Sequence, residues 1–67
     1  MIDSSDVLRA HRHVDSALDS YNFLKSTFNK HLDKCEQKHV DVLIDAYDSY
    51  LGMKMELIRV LREYHKQ

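Results

Sequence analysis

The sequence predicts an all-α fold: an antiparallel helical hairpin of two long helices, expected to pair with a second copy into a four-helix bundle. Three observations carry that expectation. The chain has no proline and one glycine among 67 residues, too few turn formers for a multi-stranded β architecture. Apolar residues recur at helical spacing through both halves. The phase of that recurrence breaks once, in a mostly polar stretch between residues 29 and 39. An unbroken rod would keep one stripe, so the break marks a turn.

The first helix is expected over about residues 4–31. A seven-residue column runs Val7, Val14, Tyr21, Phe28 and Cys35, called a. Three positions on, the d column reads Ala10, Ala17, Leu24 and His31, and the e column reads His11, Leu18, Lys25 and Leu32. Asp3 suits the N-cap, with Ile2 and Val7 placed for a hydrophobic staple. Asn29, Lys30 and His31 suit the helix end, where αL-tolerant and cationic residues are favoured.

The turn is expected at about 32–36 and the second helix at about 36–65, making residues 1–67 a single domain. Asp33 followed by Glu36 reads as an acidic variant of the capping box. In the second phase Val40, Tyr47, Lys54 and Leu61 form a, and Leu43, Tyr50, Leu57 and Tyr64 form d. Ile44, Leu51, Ile58 and His65 form e, and His39, Ala46, Met53 and Val60 form g. Gly52, at an f position away from the seam, marks where this helix could bend.

A short connection forces the helices antiparallel. One neighbour covers a stripe about two columns wide, yet the second helix carries apolar residues in four. Ala46, Met53, Val60, Ile44, Leu51 and Ile58 are therefore the expected self-association residues. Exposed apolar patches of several hundred Å² are unusual on monomers, and a twofold pairing buries the same patch twice. Leu8, Phe23, Val42 and Met55 fall outside even this wide face.

Composition bounds the rest. Hydrophobic residues are 43% and charged residues 31%, too apolar for a disordered chain. Ten Lys and Arg against eleven Asp and Glu give a net charge of −1, so no global basic excess favours nucleic acid or a membrane surface. Cys35 is the single cysteine, which excludes an internal disulfide and fits a reducing setting. The first residues are acidic where a secretory signal would be basic, and no stretch is long and apolar enough to span a bilayer. A cytoplasmic location is the expectation.

Charge is segmented. Residues 14–24 and 40–53 are net acidic; 25–39 and 54–67 are net basic. Folded as a hairpin, the acidic segments are expected to face each other mid-length, leaving Asp15, Asp19 and Asp48, with Phe23, as a docking surface for a basic partner. Arg9, Arg12, Arg59 and Arg62 gather at the open end, where they could grip phosphates. The helix macrodipole accounts for part of the same pattern, since it favours cations at helix C-termini.

His31, Cys35 and His39 are spaced four apart, which on a continuous helix would put three soft ligands on one face. The predicted turn passes through them, so no metal is expected, nor any other cofactor. His11 and His65 lie at the seam edges of the open end. No nucleophile elbow, phosphate-binding glycine loop or paired-carboxylate pattern occurs, and the tyrosines sit where they would fill a bundle. Catalytic residues are therefore not expected. The architecture resembles that of small plasmid-encoded RNA-binding hairpins, and Leu32-Asp33-Lys34-Cys35-Glu36-Gln37 is similar to their turn; that likeness covers less than a tenth of the chain. The resulting reading is a non-catalytic, self-associating protein–protein interaction module: a small regulator, inhibitor or adaptor with an unidentified protein partner. An RNA- or DNA-binding bundle is the alternative.

Overall fold

Asp3 opens the first helix by satisfying amides that the helix itself leaves free. Its carboxylate accepts from the backbone N–H groups of Ser5 (2.9 Å) and Asp6 (3.1 Å), while its own N–H donates to Asp6 Oδ2 (3.1 Å). With both halves of this reciprocal box in place, α1 runs Ser4–Lys30. The computed structural model describes residues 1–66. Among them are two packed helices joined by a single 3-10 turn, Leu32–Lys34, with α2 at Gln37–Lys66.

The start of α2 corrects the cap expected at Asp33. Asp33 is spent in the 3-10 turn, whose Lys34 N–H donates to the His31 carbonyl (3.0 Å). The helix opens at Glu36 instead. The Glu36 carbonyl accepts from the N–H groups of His39 (3.0 Å) and Val40 (3.3 Å), and its N–H donates to His39 Nδ1 (2.9 Å). An imidazole thus fills the third-position role that a Glu or Gln fills in the usual capping box. α2 then continues through Gly52 without interruption.

In α1 the inward residues are the a and d columns: Val7, Val14, Tyr21 and Phe28 with Ala10, Ala17 and Leu24, all at least half-buried. In α2 the seam differs from the a and d pair that its sequence suggested. Leu43, Tyr50 and Leu57 of d point inward together with Ala46 and Val60 of g, while Tyr47 and Leu61 of a are left exposed. The reason is chemical. Column a contains Lys54, whose ammonium is costly to bury, whereas column g offers Ala46 and Val60. With d and g inside, Lys54 Nζ lies over the Tyr50 ring (5.3 Å) at the seam margin. The rings of Tyr21 and Tyr47 meet across the helices, centroids 5.1 Å apart and tilted by 52°, which fixes the register at mid-length.

The hairpin measures 51 × 15 × 11 Å with a Cα radius of gyration of 15.3 Å; a compact domain of this length would have about 11 Å. Only Ala10 (7% exposed) and Val60 (6%) are buried among the described residues.

Candidate functional site

Two antiparallel helices side by side form a layer with two broad faces, and the seam assignment decides what each carries. With a and d inward in α1, its e column flanks the seam on one side and its g column on the other. With d and g inward in α2, column a and then e lie on one side and column c on the other. Helix handedness in an antiparallel pair sets e of α1 beside a and e of α2. The observed contacts agree. Lys25 of the e column sits over the Tyr21 ring (5.6 Å), next to the Tyr21–Tyr47 stack. On the opposite side, Asp6 and His13 of α1 border a groove with Glu56 of α2, and Thr27 borders another with Val42.

One broad face is consequently apolar over most of its length. By helical position Leu18 and Tyr21 of α1 share this side with Ile44, Tyr47, Leu51, Ile58 and Leu61 of α2, joined by the Tyr21–Tyr47 contact, with Lys25 and Lys54 beside the tyrosine rings. Ile44 is 51% exposed, Leu51 37% and Ile58 45%. Of the six residues expected to self-associate, the e-column three, Ile44, Leu51 and Ile58, are on this face. The g-column three are not. Val60 is buried and Ala46 half-buried within the hairpin, and Met53 is at the seam edge, still exposed. Once the seam turns toward g, Ala46 and Val60 pack against α1, and Tyr47 and Leu61 replace them outside. The lysine in column a was the available sequence signal for this exchange.

The acidic segments lie alongside each other, since Tyr21 meets Tyr47, but Asp15, Asp19 and Asp48 are not on the shared side. Asp15 and Asp19 occupy b and f positions of α1, and Asp48 a b position of α2, the columns farthest from each seam. All three are exposed, and they line opposite outer edges of the hairpin, because a carboxylate gains nothing from the dry side. Phe23 is 71% exposed on the side away from the apolar face; four residues after Asp19, it lies one helical turn along from that carboxylate, whereas Asp48 is on the other helix.

At the open end, Arg9 and Arg59 border a common groove of about 440 Å³ with Asp6 and Glu56. Both guanidiniums are already engaged: Arg9 pairs with Asp6 at 3.3 Å, and Arg59 grips Glu56 through two nitrogens, Nε at 3.2 Å. The hydrogen bonds from Arg59 hold the Glu56 carboxyl below its usual range and push the guanidinium further up. Arg62 lies with Arg59 along the outer side of α2. Arg12, at an f position, is on the outer edge of α1, so the four arginines do not converge on one point.

At the closed end a groove of about 360 Å³ is bordered by Leu24, Thr27, Phe28, Val42 and Leu43, with His31, Lys34, Cys35 and His39 around it. Cys35 Sγ donates to the His31 carbonyl (3.0 Å), and His39 Nδ1 is occupied by the Glu36 N–H. Among the described residues no group of three or more His, Cys, Asp or Glu is placed to hold a metal ion. No helix among them is long and apolar enough to cross a membrane. No family model, curated protein or solved structure matches the chain.

Proposed function

We propose that this chain is a non-catalytic protein–protein interaction module in which two hairpins pair through the apolar broad face into a four-helix bundle. The paired hairpins then present their outer surfaces to a further protein as a regulator, inhibitor or adaptor. The supporting observation is the imbalance between core and face: among the described residues two are buried inside the hairpin, against Ile44, Tyr47, Leu51, Ile58 and Leu61 exposed on one side. The areas agree in size. The hairpin exposes 5337 Å², whereas a compact monomer of 8.0 kDa would expose about 4,450 Å². The excess, about 900 Å², is close to the roughly 800 Å² that each partner contributes to a standard interface.

Sedimentation equilibrium tests the reading. The expected result is a dimer at micromolar concentration, reduced to monomer by Leu51→Lys or Ile58→Lys. Val42→Lys, on the opposite face, leaves the mass unchanged. A monomeric wild-type chain with a cooperative unfolding transition would remove the proposal. The nucleic-acid alternative has weaker support, since Arg9 and Arg59 already hold carboxylates. It requires retention on a polyanion column that falls steeply with salt, and loss of retention on reversing the charge of Arg59 and Arg62.

A further inference from the structure

The closed-end groove lies on the broad face opposite the one proposed to pair, so the pairing does not account for it. Its floor is hydrocarbon, from Leu24, Phe28 and Leu43, with Val42 exposed at its margin. Its volume, about 360 Å³, exceeds a single side chain and falls within the roughly 300–1,000 Å³ of small-molecule sites.

The charges around it are unequal. The Glu36 carboxylate is paired with Lys38 (3.5 Å), and Asp41 accepts from Gln37 Nε2 (3.0 Å). Lys34 borders the groove and has no ion-pair partner among the described residues, and no carboxylate is among the groove's lining residues. His31 and His39 add ring nitrogens to the same rim. An apolar slot ending at one unpaired ammonium matches a ligand with a hydrocarbon tail and one negative head.

We propose that this groove binds a medium-chain aliphatic carboxylate, its tail against Leu24, Phe28 and Leu43 and its carboxylate on Lys34. Burial of the tail supplies most of the attraction, and the charged hydrogen bond selects the acid over its neutral analogue. Cys35, half-buried at the rim, reports occupancy without belonging to the recognition.

The test uses the full chain, octanoate as probe, 1-octanol as its neutral counterpart, and alkylation of Cys35 by iodoacetamide as the readout. Octanoate is expected to slow alkylation several-fold and saturably, with 1-octanol clearly weaker. Lys34→Gln should weaken octanoate about tenfold and bring the two probes level. Val42→Trp, which sets an indole into the groove from an exposed position, should abolish the protection while circular dichroism shows the helices intact. The proposal is overturned by an unprotected Cys35, by equal protection from both probes in the wild type, or by protection that survives Val42→Trp. Sedimentation of the same variants keeps this outcome separate from the pairing, because Lys34 and Val42 lie off the apolar face.

Discussion

Asp3 and His39 open the two helices by the same reciprocal logic and different chemistry. The Asp3 carboxyl is held below its ordinary 3.8, first by the Ser5 hydroxyl (2.6 Å) and then by the Asp6 N–H, with slight burial opposing. A carboxyl depressed in the folded state binds fewer protons there than in the unfolded chain. Its contribution is therefore fully present above the unfolded value and lost as pH falls through the folded one. Asp3→Ala should accordingly lower the melting temperature at neutral pH. The gap from wild type should close in buffers well below the carboxylate range. An equal gap at both pH values, read by circular dichroism, would mean that the charge is irrelevant to the cap. His39 does its work as an acceptor at Nδ1, a role that the residue type alone does not announce.

At the scale of the element, α2 shows what periodicity can and cannot carry. Two helices and the place of their junction were legible because apolar residues recur every three or four positions and change phase once. The face of α2 that turns inward was not, because four adjacent columns are apolar and any neighbouring pair of them could form a seam. Lys54 in column a and the small Ala46 in column g decide the matter: the lysine is visible in the sequence, but the cost of burying it is set by the packed pair. The same reasoning misplaced Asp33, since a 3-10 turn consumed three residues that an abrupt turn would have given to the helix. Gly52 belongs to this scale as well. It takes no positive φ, and a Cβ built there meets nothing within 4 Å. Gly52→Ala should then raise stability by about 0.5–1 kcal/mol through helix propensity. A denaturant midpoint unchanged or lowered by the substitution would show that α2 uses the glycine to bend.

For the molecule as a whole, the decisive quantity is how little of it is dry. Ordering a residue costs roughly 1–2 kcal/mol of backbone entropy, and a hairpin whose buried residues, among those described, are Ala10 and Val60 has few desolvated side chains to offset that cost. Helices of 27 and 30 residues gain some stability from their own hydrogen bonds, yet in proteins most helical stability comes from packing an apolar face. If Ile44, Leu51, Ile58 and Leu61 find their cover on a second hairpin, folding and association become one equilibrium. Its midpoint must then depend on protein concentration. The melting temperature is expected to rise by several degrees between low and high micromolar chain, with helicity and mass changing together. In Leu51→Lys the same dilution series should show a low and concentration-independent midpoint, because the variant retains the seam between α1 and α2 and loses the cover. A wild-type midpoint that stays constant on dilution would mean that the seam of Ala10, Val60, Tyr50 and Leu57 suffices alone.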